Sequence, residues 1–590
     1  MKTLKLFNAV VLKETKDSPF ISEQGFIIES GAVWAKKAIV EYYTKEQLQG
    51  NDLNKTFHKS WKKIKDSSRF ELYLEQIKHY ISTYGSDFKD EIYIPDEVLN
   101  VPELKIVYKV VKAYSKEEMI NKCLSLLKSG IALQEETIND VLTILVDELG
   151  YKFTGEERIR NKEAVIKIAD LYGVIPADTM EFFRYIIYRA TGKSLLIKND
   201  EMIQLIKIAN FNPAVQFDKF GLEKLAQIFN RFKPLFLAFK KKCPKTINKI
   251  AKLSKTNHVP MVQNPLNKVT SSLLEEKDMK WLDNATPFAL FKAISACHTR
   301  MNGQDAFVYR IRNGKSWTTE AEQVKVRLAK QNMTILIAYL KYRFDLSGKK
   351  IYLPKGVKFA LPTSEKMFVG NIPTGTRFYG KKMAVGVYWK NSWGAHDLDL
   401  SGLNIGGKVG WNASYNQDNG SLMYSGDITN APNGAVEYLY AGKGLEMPTL
   451  VQNNVFSGDK NCEYKIIIGK GDKVSKTFMM DPNNLFAEIK CKSVQKETIL
   501  GILIPQGEKQ CFVLLNFGSG TVNVSRNSSL SDLATRALYQ QWNNPYDFNE
   551  LIKLLGAEIV ESPKLADYNF SLNSLEKDSF TKLFEKKEEK

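Results

Sequence analysis

The spacing of apolar and polar residues changes character near residue 346. Before that point apolar positions mostly recur every three to four residues, the period of an amphipathic helix. Beyond it, short runs alternate residue by residue and break on glycine and asparagine, as strands do. At the N-terminus two apolar runs, Leu6–Leu12 and Gly25–Ile28, flank a polar turn at Asp17-Ser18-Pro19 and predict a small hairpin. Helical spacing follows from Ala32 to about Gly85, then an acidic connection with two prolines from Ser86 to Leu104. Ser115 with Glu118 three residues on is a capping box, and the helix it opens stops at Gly130. Further helices stop at Gly150, Gly173 and Gly192, so helix ends recur about every 20 residues. In pairs they give a repeat of about 40 residues, the size of HEAT-type helical hairpins.

The stretch Ser347–Phe378 is rich in proline, glycine and short apolar runs, and reads as an ordered crossing. After it come closely spaced strands: MAVGVYW, HDLDLSGL, VGWNASY, SLMYSGD, AVEYLYA, EYKIIIG, LFAEIKC, ETILGILIP and QCFVLLNF. Their length, and turns such as Asp418-Asn419-Gly420 and Gly406-Gly407, predict a β-sandwich. The chain returns to helix in SLSDLATRALYQQW and in a segment opened by Asp547 and stopped by Gly556, before a charged tail expected to fray. The fold class expected is multidomain α+β: a HEAT-like helical array, a β-sandwich and a short helical C-terminus. The divisions fall at 1–100, 101–345, 346–378, 379–527 and 528–590.

Composition narrows the setting. A chain of 590 residues exceeds one core, and no apolar run approaches the roughly 18 residues of a membrane span. The N-terminal residues lack the long apolar segment and small-residue cleavage site of a signal peptide. Six scattered cysteines without a CxxC pair argue against a disulfide framework or a cysteine zinc site, so a cytoplasmic setting is expected. The net charge of +18 concentrates in one run: Arg231, Lys233, Lys240, Lys241, Lys242, Lys245, Lys249, Lys252 and Lys255, with no acid among them. Such a run attracts polyanions, RNA first; a plain solvated helix face has the same pattern.

Two carboxylates, Asp397 and Asp399, alternate with Leu398 and Leu400, so they share a strand face with Ser401. That face is expected to be wet. With Asp427, Asn430, Asn433 and Glu437 from neighbouring segments it can supply the oxygen ligands of calcium, or be an ordinary polar face. His396 falls on the leucine side and is expected to be semi-buried. The surrounding tryptophans and tyrosines are read as core packing.

This stretch, GVYW...DLDLSGL...GKVGWNASY...LMYSGDITN...GAVEYLYA, resembles the TerD-type tellurium-resistance and stress-protein family. The resemblance implies a calcium-binding sandwich in stress or phage-related biology. Asp397, Asp399 and Ser401 match the family's acidic strand, and Gly426-Asp427 matches its later strand end. The family's first strand aspartate falls at Ala395, and its later acidic run is replaced by Ala431-Pro432-Asn433-Gly434. The helical half is similar, through Pro287-Phe288, Ala293, Gly303, Arg310 to Lys315 and Trp317, to the TROVE module of the Ro autoantigen family. That resemblance implies RNA binding, with Arg300, Arg310 and Arg312 joining the basic run.

Nothing in the chain points to catalysis. Arg189-Ala190-Thr191-Gly192-Lys193-Ser194 lacks the first Walker glycine, since Ile187 stands there, and follows a helix-like segment, so it is read as a helix end. The five histidines occur singly, and no zinc spacing appears. A non-enzymatic RNA-binding protein with a possible calcium site is therefore expected, with no nucleotide cofactor. The alternative is a scaffolding protein whose repeats bind protein.

Overall fold

The computed structural model describes residues 1–585 except 23–24, 49, 85–108, 302–305, 311–315, 321–322, 472–479, 481–483, 494–495, 519–541 and 543. The chain is mixed α+β, helical first and rich in antiparallel sheet after residue 350.

The N-terminal hairpin is rearranged relative to expectation. Leu6 and Phe7 close a short helix, Lys2–Phe7, and Ala9–Val11 does not pair with Phe26–Ile28. The strand Lys109–Tyr114, a hundred residues away in the chain, lies between them and pairs parallel with both. Phe20–Ile21, close by in the chain, pairs antiparallel with Phe26–Ile28.

The helix signals read from local chemistry hold. Ser115 and Glu118 form the capping box of Lys116–Lys128. Lys162–Tyr172 and Thr179–Thr191 end at Gly173 and Gly192, both left-handed, and Gly192 donates its N–H to Tyr188 O at 2.7 Å. The segment around Gly192 is thus a helix C-cap. Two cores meet on the helix Lys162–Tyr172. Ala164 and Ile168, one turn apart, belong to a core shared with the sheets. Ile166 and Ala169 belong to a separate helical core that reaches Ile250. Between the helices Pro287–Met301 and Gln323–Arg343, which pack on each other, an unanticipated hairpin pairs Ala306–Arg310 with Ser316–Glu320.

Among the described residues, the second half builds two large antiparallel sheets. Seven strands run in the order Gly407–Gly410, Ala395–Asn404, Thr449–Gly458, Glu497–Gln506, Lys509–Gly518, Arg377–Gly380, Val357–Lys358. Six run Asn416–Gln417, Leu422–Tyr424, Ala435–Ala441, Met383–Trp389, Glu463–Lys470, Leu485–Lys492. Ala395–Asn404 touches both Ala435–Ala441 and Met383–Trp389 across the interior.

The crossing segment is ordered because the C-terminus pairs with it: Lys350–Tyr352 lies between Glu558–Val560 and Tyr568–Asn569. The expected frayed tail is a correction. Leu575, Phe580, Leu583 and Phe584 are buried in the main core. Asp578, 2 % exposed, holds Lys122 at 2.7 Å and Lys582 at 3.2 Å. Its charges alternate with apolar residues that find partners only in three dimensions. The expected helix near residues 530–541 lies outside the described residues.

Candidate metal centre

The acidic strand Ala395–Asn404 sits between Gly407–Gly410 and Thr449–Gly458. An added Cβ on Gly402 would stand 3.3 Å from Leu439 and 3.5 Å from Leu422, both in the facing sheet. Gly402 shares its side of the strand with Leu398 and Leu400, so the leucines face the interior and Asp397, Asp399 and Ser401 face away from it. That outward face is not wet: Asp397 and Asp399 are each only 2 % exposed. His396 is the residue left exposed, at the register shift beside Asp397.

The cover arrives from the N-terminal part of the chain. Ser68 and Glu71 exchange capping bonds at the start of the helix Arg69–Tyr84. Its inward positions Leu72, Gln76 and His79 follow helical spacing and are buried. The next segment to matter is the loop after Leu422–Tyr424. Gly426 has φ 93°, and a Cβ there would lie 2.8 Å from His58 and 3.0 Å from Phe57. Only glycine fits that close approach. Asp427 is then gripped by the helix: Gln76 Nε2 donates to its carbonyl at 3.0 Å, its own N–H donates to Gln76 Oε1 at 3.3 Å, and the Tyr80 hydroxyl donates to Oδ2.

Carboxylate oxygens of Asp397, Asp399 and Asp427 gather within 4.8 Å of one another. Asn454 Nδ2 donates to Asp399 Oδ2 at 2.8 Å. Asp427 Oδ1 is buried and accepts no hydrogen bond. Glu437 comes from the other sheet, fully buried, and serves differently. Its two oxygens accept the N–H groups of Leu400 at 2.8 Å and Ile428 at 3.0 Å, tying the acidic strand to the Asp427 loop. Asn430 turns elsewhere and accepts from Asn391 Nδ2 at 2.6 Å. The carbonyl of Asn433 accepts from Lys55 at 2.7 Å. Of the six oxygen donors named from the sequence, three aspartates converge, Glu437 braces them, and the two asparagines are engaged outside.

Burial, and then the neighbouring Asp427, push the Asp399 carboxyl up to about 7. Burial raises Asp427 to about 6, opposed by hydrogen bonding with Tyr80 and then Glu437. Glu437 stands well above the usual carboxylate range because it is fully buried and faces Asp427 and Asp399. Among the described residues neither Asp399 nor Asp427 forms an ion pair. Like charges out of water are strongly unfavourable unless protons or a cation compensate them. The donor set is all oxygen, which suits a hard divalent cation. The orphaned Asp427 Oδ1 points to the same chemistry. Calcium takes six to eight oxygens, so water would complete a shell that the three aspartates begin.

The basic residues divide. Lys233, Lys240, Lys241, Lys245, Lys249, Lys252 and Lys255 are exposed. Arg231 is half-buried, its guanidinium 5.2 Å from the ring of Phe232. Lys242 turns inward: its ammonium donates to Ile206 O at 2.6 Å and to Ala209 O, closing the end of the helix Asp200–Ile208. Arg300 is 7 % exposed and donates to Ala296 O at 3.2 Å, so it does not present itself to a ligand. Arg310 ends a strand whose side chains are not described, and Arg312 lies outside the described residues. Cys297 is buried, which pushes its thiol up to about 12, and His298 Nε2 faces the carbonyl of Asn544 at 3.0 Å. The adjacent pair is no activated nucleophile.

Sequence reading missed Tyr80, Gln76 and Asn454. The first two lie more than 300 residues from the acidic strand and carry no local signal. Asn454 lies in TLVQNNVF, whose polar centre Gln452-Asn453-Asn454 hides the strand next to the aspartates. No protein-family model, curated protein or solved structure matches this chain.

Proposed function

We propose that this chain is a non-enzymatic binding protein whose two sheets form a TerD-type sandwich and hold calcium in the aspartate cluster. The observation that carries the reading is the convergence of Asp397, Asp399 and Asp427, three buried carboxylates within 4.8 Å. In it Asn454 and Tyr80 orient Asp399 and Asp427, Gln76 fixes the Asp427 backbone, and Glu437 holds the two segments together. The resemblance of the acidic strand to TerD-type proteins favours the same ligand. The exposed lysines of the helical part add a docking face for a polyanion, RNA in the first expectation, although Lys242 and Arg300 are taken up by the fold.

Calorimetric titration of calcium into the full chain after chelation tests the cation. Binding heat and a rise in melting temperature are expected, since a ligand that binds only the folded state stabilises it, by about 2.7 kcal/mol at a hundred times Kd. Neither signal with calcium, magnesium or manganese would remove the site.

A further inference from the structure

We propose that the lysine face of the helix Pro244–Asn257, with the loop that follows it, docks on an anionic lipid bilayer; this rests on the polyanion reading above and names the polyanion. The helix buries Ile247, Ile250 and Ser254. Lys245, Lys249 and Lys252 stand on the exposed side at intervals of four and three, so they form one row. At 1.5 Å per residue the row covers about 10 Å of helix axis. None of the three makes an ion pair among the described residues. Two exposed acids on the neighbouring helices, Asp218 and Glu223, leave the balance basic.

The second observation is apolar. The helix ends at His258 and runs directly into Val259-Pro260-Met261-Val262. Val259, Met261 and Val262 are 55 %, 56 % and 70 % exposed. The start of the loop is tied to a neighbouring helix, and a capped turn follows its end. Val259 N–H donates to Gln227 O at 3.1 Å, and Asn264 Oδ1 accepts the Leu266 N–H at 3.0 Å. Its apolar side chains are thus exposed to solvent beside the lysine row, which is unfavourable in water and suited to an interface.

Lipid fits this combination better than nucleic acid. Single-stranded RNA is gripped by exposed aromatic rings and arginine planes. Here Phe232, Phe236 and Phe239 are buried, and Arg231 lies over Phe232. A lysine row beside aliphatic and thioether side chains matches a bilayer surface, where ammonium groups meet phosphate and carboxylate headgroups. The apolar side chains there enter the boundary by about 5–10 Å.

The test is flotation of the full chain with phosphatidylcholine vesicles, with and without phosphatidylserine, in a chelator so that calcium cannot bridge protein to lipid. The chain is expected to float only with the anionic vesicles. The combined variant Lys245→Gln, Lys249→Gln, Lys252→Gln should bind them about a hundredfold more weakly, roughly fivefold per lysine. Met261→Ser with Val262→Ser should weaken vesicle binding about tenfold, while leaving retention of a single-stranded RNA unchanged. These positions are exposed, so melting temperatures should hold; should the lysine variant fail to fold, the Met261 and Val262 variant decides alone. RNA retention that weakens with salt, without flotation, would overturn the lipid assignment and leave the polyanion reading standing. Failure of both would remove both.

Discussion

The aspartate cluster and the lysine face carry charge in opposite ways. The three aspartates are buried and converge from two segments of the chain, and burial raises Asp399 and Asp427, with Asp427 adding to the rise at Asp399. The lysines lie close together in sequence and are exposed to solvent. Exposed charge costs the fold almost nothing, so its presence says little about a ligand until a second feature, here the apolar loop, accompanies it. Buried like charge is destabilising unless protons or a cation compensate it, so its presence is the more telling of the two.

The largest expected difference between the regions is in stability. In chelator at pH 8, Asp399→Asn should stabilise the chain by about 2–4 kcal/mol, the order of magnitude of a carboxyl raised from about 4 to about 7. It should also abolish the calcium-induced rise in melting temperature. Lys249→Gln should change the unfolding free energy by less than about 0.5 kcal/mol. Urea unfolding of both variants measures this, and a destabilised Asp399→Asn would break the contrast.

Next in size are two glycines. Gly426→Ala forces a Cβ into His58 and Phe57 at positive φ and should cost about 3 kcal/mol. Gly192→Ala, left-handed but with nothing within 4 Å, should cost about 1 kcal/mol. Equal losses by denaturant titration would show that the Asp427 loop can yield.

The calcium effect should grow with pH. Unfolded aspartates titrate near 4, about 2–3 pH units below the folded Asp427 and Asp399. The metal-free fold therefore holds extra protons between those values. Their stabilisation is full below about pH 4 and is lost as pH rises through about 7. Calcium needs the deprotonated groups, so the stabilisation it adds, read as a rise in melting temperature, should be near zero at pH 5 and largest at pH 8, about 2.7 kcal/mol at a hundred times Kd. Buried His58 and His79, lowered to about 4 by desolvation, act in the opposite sense: their contribution is present above about 6.5 and lost as pH falls to about 4. They contribute to both melting curves, so the difference between the curves reports the buried carboxyls of the cluster.

The smallest effect separates two kinds of lysine. Lys242→Met, which removes the donor at the end of Asp200–Ile208, should cost about 1 kcal/mol. Lys252→Met should stay within about 0.5 kcal/mol. Thermal melts in parallel are sufficient.

Helix ends at Gly173 and Gly192, the Ser115 capping box and most strands after residue 383 were legible because each depends on neighbours within a few residues. The facing of Leu398 and Leu400 against Asp397 and Asp399 was legible for the same reason, since side chains alternate along any strand. The strand Thr449–Gly458 was not, because its centre is polar. Asn454 in that centre donates to Asp399, a contact that no window of a few residues reveals.

By itself the sequence determined the α-to-β order of the chain, the lysine row and the pairing of two aspartates on one strand face. Tertiary structure decided that this face is sealed, that Asp427 joins it while Asn430 does not, and that Tyr80 and Gln76 cover it. It also decided that Lys242 and Arg300 belong to the fold. Local period fixes which way a side chain points, whereas burial depends on what the rest of the chain brings to that side, and here the cover comes from a helix more than 300 residues upstream.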